Sequence, residues 1–128
     1  MNFLIVFLGA GLGGAARYAV SVLLARFTGF TVFPVATFTV NIIGSLLMGL
    51  LIGYFAARSD MGGVLAQNWK LFLTTGIMGG FTTFSAFSLE TVLLLERGDG
   101  VTALVYVLSS VILGAAALLA GLYLMRLF

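Results

Sequence analysis

The chain has 128 residues, 62% of them hydrophobic and 8% charged, with a net charge of +2 and a mean hydropathy of +1.23. A soluble domain carries roughly a quarter charged residues, so these residues cannot cover a water-facing surface, and the composition is that of an integral membrane protein. The absence of cysteine and histidine excludes disulfides, thiolate metal sites, cysteine nucleophiles and imidazole bases, and so small a net charge does not fit nucleic-acid binding.

Apolar segments separated by short polar breaks predict four membrane helices in an all-α membrane protein with a single domain over residues 1–128. They run from about Phe3 to Leu24, Phe33 to Ala57, Trp69 to Leu95 and Val101 to Leu124 (helices about 3–24, 33–57, 69–95 and 101–124). Each has the roughly 20 residues that cross about 30 Å of hydrocarbon. The opening MNFLIVFLGA lacks a basic start and runs apolar past a signal core, so it reads as the first span, not a cleavable leader. The spans leave no stretch for a separate water-soluble domain, and any activity belongs within the bilayer or at its edge.

The first span holds Gly9-Ala10-Gly11-Leu12-Gly13-Gly14, which matches G-x-G-x-x-G. A dinucleotide site would need an acid about 20 positions on and alternating strands and helices. The first acid in the chain is Asp60, so the glycines read as a packing face. Small residues at four-residue spacing recur at Gly9/Gly13, Ser45/Gly49/Gly53 and Gly76/Gly80, where they allow close helix packing. Arg17 is the deepest cation of the chain, costly if central and unpaired. Its expected partner is Glu90, the one acid well inside a span.

After the break FTGFT around Thr28–Thr31, Pro34 stands near the start of the second span, where a missing N–H is tolerated. Thr37, Asn41 and Ser45 recur every four residues and share a helix face. The second break, RSDMGG, runs from Arg58 to Gly63. The third span contains GGFTTFSAFS, Gly79 to Ser88. Two adjacent glycines each cost about 1 kcal/mol relative to alanine in mid-helix, so a helix break is expected at Gly79-Gly80. A break in lipid survives only where protein or water satisfies the freed backbone. Freed carbonyls favour a cation, and freed N–H groups an anion. Beyond it, Phe81, Phe84, Phe87 and Ser88 fall on one stripe, with Thr82, Thr83, Ser85 and Thr91 nearby. After the break ERGDG, Glu96 to Gly100, the fourth span carries Thr102, Tyr106, Ser110 and Gly114 at four-residue spacing, with Ser109 beside them. For a lone hydroxyl, bonding back to its own helix is the ordinary fate. Three such stripes with a central amide instead suggest a lining of neutral donors, suited to a small anion that must lose water without being trapped.

Lysine and arginine are almost balanced between the two ends. Arg58, Lys70 and Arg126 share one side, and Arg26 and Arg97 the other, with Arg17 nearer the second. The positive-inside rule therefore gives almost no direction. Insertion both ways is expected, with two opposed copies paired about an axis in the membrane plane.

The glycine-rich first span ending in Arg17-Tyr18, then Thr39-Val40-Asn41-Ile42-Ile43-Gly44, then Gly76-Ile77-Met78-Gly79-Gly80-Phe81-Thr82-Thr83-Phe84-Ser85-Ala86-Phe87-Ser88 followed by Glu90, resembles the CrcB/Fluc fluoride channels over essentially the whole chain. That resemblance implies a fluoride-selective ion channel, not an enzyme. It would lie in the bacterial inner membrane as a multi-pass protein, exporting cytoplasmic fluoride passively, and would be an antiparallel dual-topology homodimer with two pores. The resemblance also implies a third helix broken near its centre and a structural sodium ion at the dimer centre, held by carbonyls of Gly79 and Thr82. Phe84 and Phe87 become the pore phenylalanines and Asn41 the pore amide. Tyr106 and Ser110 form a polar track, and Thr83, Ser85 and Ser88 lie along the fluoride path. Arg17 and Glu90 become charged support, and Gly114 continues the track without a hydroxyl. The partners implied are a second copy of the chain, fluoride and the lipid bilayer, with no nucleic acid and no soluble partner. The alternative weighed is a small dual-topology multidrug exporter, against which the first span has no Asp or Glu. A membrane enzyme finds no paired acid–base set among Asp60, Glu90, Glu96 and Asp99.

Overall fold

A computed structural model describes residues 1–58 and 62–127. Ser59, Asp60 and Met61, the middle of the second break, lie outside the described residues, as does Phe128. The elements are α1 (Asn2–Thr28), α2 (Val35–Ala57), α3 (Val64–Leu71), a π-helical stretch (Phe72–Met78), α4 (Gly79–Phe81), α5 (Phe84–Glu96) and α6 (Gly100–Arg126). Among the described residues they compose four helices long and apolar enough to cross a membrane, the third being the composite Val64–Glu96. The four expected spans are present. The first continues to Thr28, beyond Leu24, and the third begins at Val64, before Trp69.

Local chemistry sets the turns. The α1–α2 connection reverses through Gly29 at φ 63, whose N–H still donates to Ala25 O at 3.1 Å. Between α5 and α6, Gly98 takes φ 78, a left-handed conformation that glycine adopts without a Cβ penalty. The Gly98 N–H donates to Leu95 O and the Asp99 N–H to Leu94 O, both at 3.0 Å. Asp99 then caps α6, its Oδ1 accepting from the Thr102 N–H at 3.1 Å.

Glycine decides the packing. A Cβ on Gly9 would lie 2.8 Å from Gly76 Cα, one on Gly13 2.1 Å from Ile77 O, and one on Gly80 2.3 Å from Ala10 O. These contacts advance together along both helices, so α1 runs parallel to the first half of the third span. A Cβ on Gly49 would meet Leu118 O at 2.1 Å, and one on Gly121 would meet Leu46 O at 2.5 Å, so α2 and α6 are likewise parallel and in backbone contact. The small-residue repeats are therefore used inside the chain; of the three glycines in the G-x-G-x-x-G match only Gly9 packs, while a Cβ on Gly11 or Gly14 would meet nothing within 4 Å among the described residues. Val40 and Tyr106 are fully buried; most large apolar side chains face outward, as lipid requires.

The third span departs from expectation at its centre. The glycine pair is not the break: Gly79 has helical φ −63 and ψ −37, and α4 continues through Phe81. The chain turns extended at Thr82 (φ −82, ψ 159) and Thr83 (φ −150, ψ 115). Glycine's intrinsic cost at Gly80 is overridden because only glycine lets α4 approach the backbone of Ala10. The expected central break thus lies downstream of the glycines, and the Phe72–Met78 stretch adds a π-helical segment upstream.

Candidate functional site

The site is built around the extended pair. Asn41, from the middle of α2, faces Thr83. Its Oδ1 accepts from the Thr83 N–H at 2.9 Å, and its Nδ2 donates to the Thr83 carbonyl at 3.1 Å. Both backbone polar groups of that residue are thereby satisfied, which hydrocarbon demands. The Thr83 hydroxyl caps α5, accepting from the Ala86 N–H at 3.2 Å, and lies 3.3 Å from Ser85 Oγ. The sequence shows a central Asn on a polar stripe, but not that its partner would be a peptide.

Beside this clasp runs a groove of about 280 Å³, lined by Asn41, Ser45, Thr82, Thr83, Phe84, Phe87, Ser110 and Val111. It brings together Asn41, Phe84, Phe87, Thr83 and Ser110 from the expected path. Phe84 and Phe87 are 5.7 Å apart between ring centroids, and Phe87 lies 5.2 Å from Tyr106. Phe84 is 79% exposed, so the groove lies open along one side. Among the described residues, Ser110 Oγ is buried with no hydrogen-bond partner, and no cation or acid lines this groove.

Tyr106 and Glu90 stand behind the rings. Thr37 Oγ1 donates to Glu90 Oε1 and the Tyr106 hydroxyl donates to Glu90 Oε2, each at 2.7 Å. Within the chain, then, two hydroxyls hold Glu90 where Arg17 was expected. Arg17 instead lines a second hollow of about 480 Å³ with Tyr18, Ser21, Thr37, Thr83 and Ser85. Thr83 lines both hollows. Both functional hydroxyls around Glu90 sit on the stripes read from α2 and α6; the missing signal was which side chain closes the carboxylate.

Other stripe hydroxyls follow the ordinary pattern. Ser45 donates to Asn41 O, Thr82 to Met78 O, Ser88 to Phe84 O and Thr91 to Phe87 O, each within its own segment. Ser88 is thus tied back to α5. A Cβ built on Gly114 would lie in ordinary van der Waals contact with α2, 3.6 Å from Ser45 Oγ and 3.9 Å from Ile42 Cδ1.

Comparison with known proteins matches residues 4–122 to the family described as CrcB-like protein, Camphor Resistance (CrcB). The fluoride-specific ion channel FluC of Methylobacterium nodulans is 55% identical over 128 residues, covering 100% of this chain and 98% of that protein. FluC 2 of Nitrobacter hamburgensis, also named a fluoride-specific ion channel, is 52% identical over 126 residues, 98% of each chain. FluC of Paracoccus denitrificans is 53% identical over 121 residues, covering 94% of this chain and 91% of that protein.

Proposed function

We infer the function from one premise: the chain belongs to the CrcB-like protein family. It is a fluoride-specific ion channel, a multi-pass protein of the bacterial inner membrane. The multidrug-exporter alternative has no support among the relatives, and α1 carries no acid that would bind an organic cation. The supporting observation in the structure is the groove itself, aromatic on one wall and furnished with neutral donors but no fixed charge.

Fluoride is small, hard and strongly hydrated. A selective path must replace its water with donors and still let it go. Asn41 keeps an Nδ2–H beyond the one given to Thr83, and Ser110 has a hydroxyl without an acceptor. The rims of the Phe84 and Phe87 rings carry partial positive charge and can border an anion that their faces would repel. Tyr106, held by Glu90, fixes the back of Phe87; Thr83, Ser85 and Ser88 lie along the break and the first turns of α5. Arg17 supplies positive charge at the neighbouring hollow, where anions collect before entering. Fluoride enters acidified cells as neutral HF, dissociates and is trapped as the anion; a passive channel lets it leave down its electrochemical gradient.

The groove lacks one wall, and we assign that wall to a second, oppositely inserted copy, giving an antiparallel dual-topology homodimer with two paths. The near balance of Arg58, Lys70 and Arg126 against Arg26, Arg97 and Arg17 supports that pairing. The backbone at the break also suits a sodium ion. A continuous helix would spend the Thr83 N–H on the Gly79 carbonyl, but that N–H goes to Asn41, so the carbonyl is released on an exposed residue. Gly79 and Thr82 would each offer a carbonyl, and a second copy would double the set, an all-oxygen environment of the kind hard cations take. Sodium bound there would offset the carbonyl dipoles and place positive charge near both paths.

The test is release of fluoride from liposomes containing only this protein. Fluoride efflux is expected to exceed chloride efflux by orders of magnitude; comparable rates would remove the claim of a selective channel.

A further inference from the structure

We propose that Asn41 is a positioning residue, which staples the extended Thr83 peptide across from α2 and, by being stapled, is held in the one amide orientation that leaves an N–H over for the groove. The proposal rests on the channel reading above and assigns Asn41 a task beyond contact with the ion. The side-chain amide engages one residue through both its atoms, Oδ1 to the Thr83 N–H at 2.9 Å and Nδ2 to the Thr83 carbonyl at 3.1 Å. With φ −150 and ψ 115, Thr83 presents its N–H and C=O on one side, as a residue in a strand does, and the amide takes the place of the neighbouring strand. A flipped amide would set N–H against N–H and oxygen against oxygen. The orientation is therefore fixed by the backbone, and the group left over is the second Nδ2–H. The Asn41 oxygen is turned to the Thr83 N–H, so the group with no partner in the staple is a donor.

The staple also locates the break. Thr82 still donates its N–H to Met78 O at 3.1 Å, a helical bond. One residue later the helical acceptor, Gly79 O, loses its donor to Asn41. Phe84 and Phe87 begin the next helix immediately beyond, capped by the hydroxyl of the same Thr83. Moving the peptide of Thr83 would thus move the cap of α5 and both rings together. Ser110, across the groove, makes no bond to the break and serves as the control.

The experiment measures two quantities on the full-length chain in lipid vesicles: amide hydrogen exchange of the segment 79–88, read by mass spectrometry without fluoride, and fluoride efflux. Asn41→Ala should speed exchange across the segment about tenfold, the loss corresponding to one or two buried hydrogen bonds, and efflux should fall at least as far. Ser110→Ala should lower efflux and leave exchange unchanged. If Asn41→Ala fails to insert, the isosteric Asn41→Asp removes the donor to the Thr83 carbonyl and is expected to speed exchange in the same segment. Unchanged exchange in whichever variant inserts would overturn the positioning role. Faster exchange with undiminished efflux would overturn its link to conduction. The exchange readout contains no fluoride, so it stands or falls independently of the channel reading.

Discussion

The third span leaves the regular α-helix twice, and the two departures are opposites. At Phe72–Met78 the chain is π-helical, keeps its bonding within the segment and lies against α1, where Gly9 meets Gly76 and Gly13 meets the Ile77 carbonyl. At Thr82-Thr83 it turns extended and takes its missing partner from another helix, through Asn41. Irregular backbone in a membrane must be satisfied either way. The upstream solution is self-contained and yields a contact between backbones. The downstream one borrows a side chain, opens a groove beside it and turns two aromatic rings toward the opening. One irregularity makes packing, and the other makes a site.

The largest expected effect breaks the upstream half. In Gly13→Leu the new Cβ would meet Ile77 O at 2.1 Å and Phe81 N at 2.8 Å, both backbone atoms with no rotamer to yield. Overpacking costs roughly 1–3 kcal/mol even where side chains can shift, so the expected outcome is loss of monodisperse protein on size exclusion in detergent. Normal yield and elution would show that the α1 contact is not rigid.

The downstream half should respond in function first. Phe84→Ile or Phe87→Ile keeps an apolar side chain and removes the polarised ring rim. With ring-specific contacts worth about 0.5–1.5 kcal/mol, fluoride efflux should fall by up to about tenfold per ring, with elution unchanged. A variant that conducts normally would reduce that ring to packing.

Tyr106→Phe probes the support behind the rings. It removes one of the two hydroxyl donors to Glu90, a loss of about 1–3 kcal/mol if the carboxyl is left short of a partner. The apparent melting temperature in detergent should drop. Thr37→Val should do likewise, and the double variant should depart from additivity because both hydroxyls serve one carboxyl.

The smallest effect within a single chain is expected for Gly79→Ala. Gly79 is helical, and a Cβ there would have only Thr74 O, at 4.0 Å, for company. Replacing a helical glycine in open space should stabilise the chain by about 0.4–1 kcal/mol. A loss of assembly on cross-linking, with the monomer folded, would instead locate a second copy against this face.

Spans and breaks were legible because apolar run length, Pro34 and the polar stretch Glu96 to Gly100 act locally; the small-residue repeats were visible, but which helices they would join was not. The centre of the third span was less so. Two glycines outweigh two threonines on helix propensity, yet Gly80 stays helical because Ala10 lies against it, and Thr83 turns extended because Asn41 receives it. Both reasons sit on other helices, far away in the sequence. The same holds for Glu90: charge pointed to Arg17, while two hydroxyls with the right reach, on α2 and α6, hold it in the chain. The π-helical stretch left no composition signal. Stripe spacing singled out Asn41 and Ser110, while Phe84 and Phe87 were read as path residues only through the family resemblance; the groove brings the four together from α2, α5 and α6.

The missing wall of the groove, where Phe84 is 79% exposed, carries a consequence for the cell and not only for the molecule. On the proposed pairing, each passage is a joint possession of two gene products. At low expression, protection against fluoride would climb with the square of copy number, and a well-inserted but defective allele would spoil the passages of its healthy counterpart. A merodiploid strain carrying both should be more sensitive than a strain with one intact copy alone.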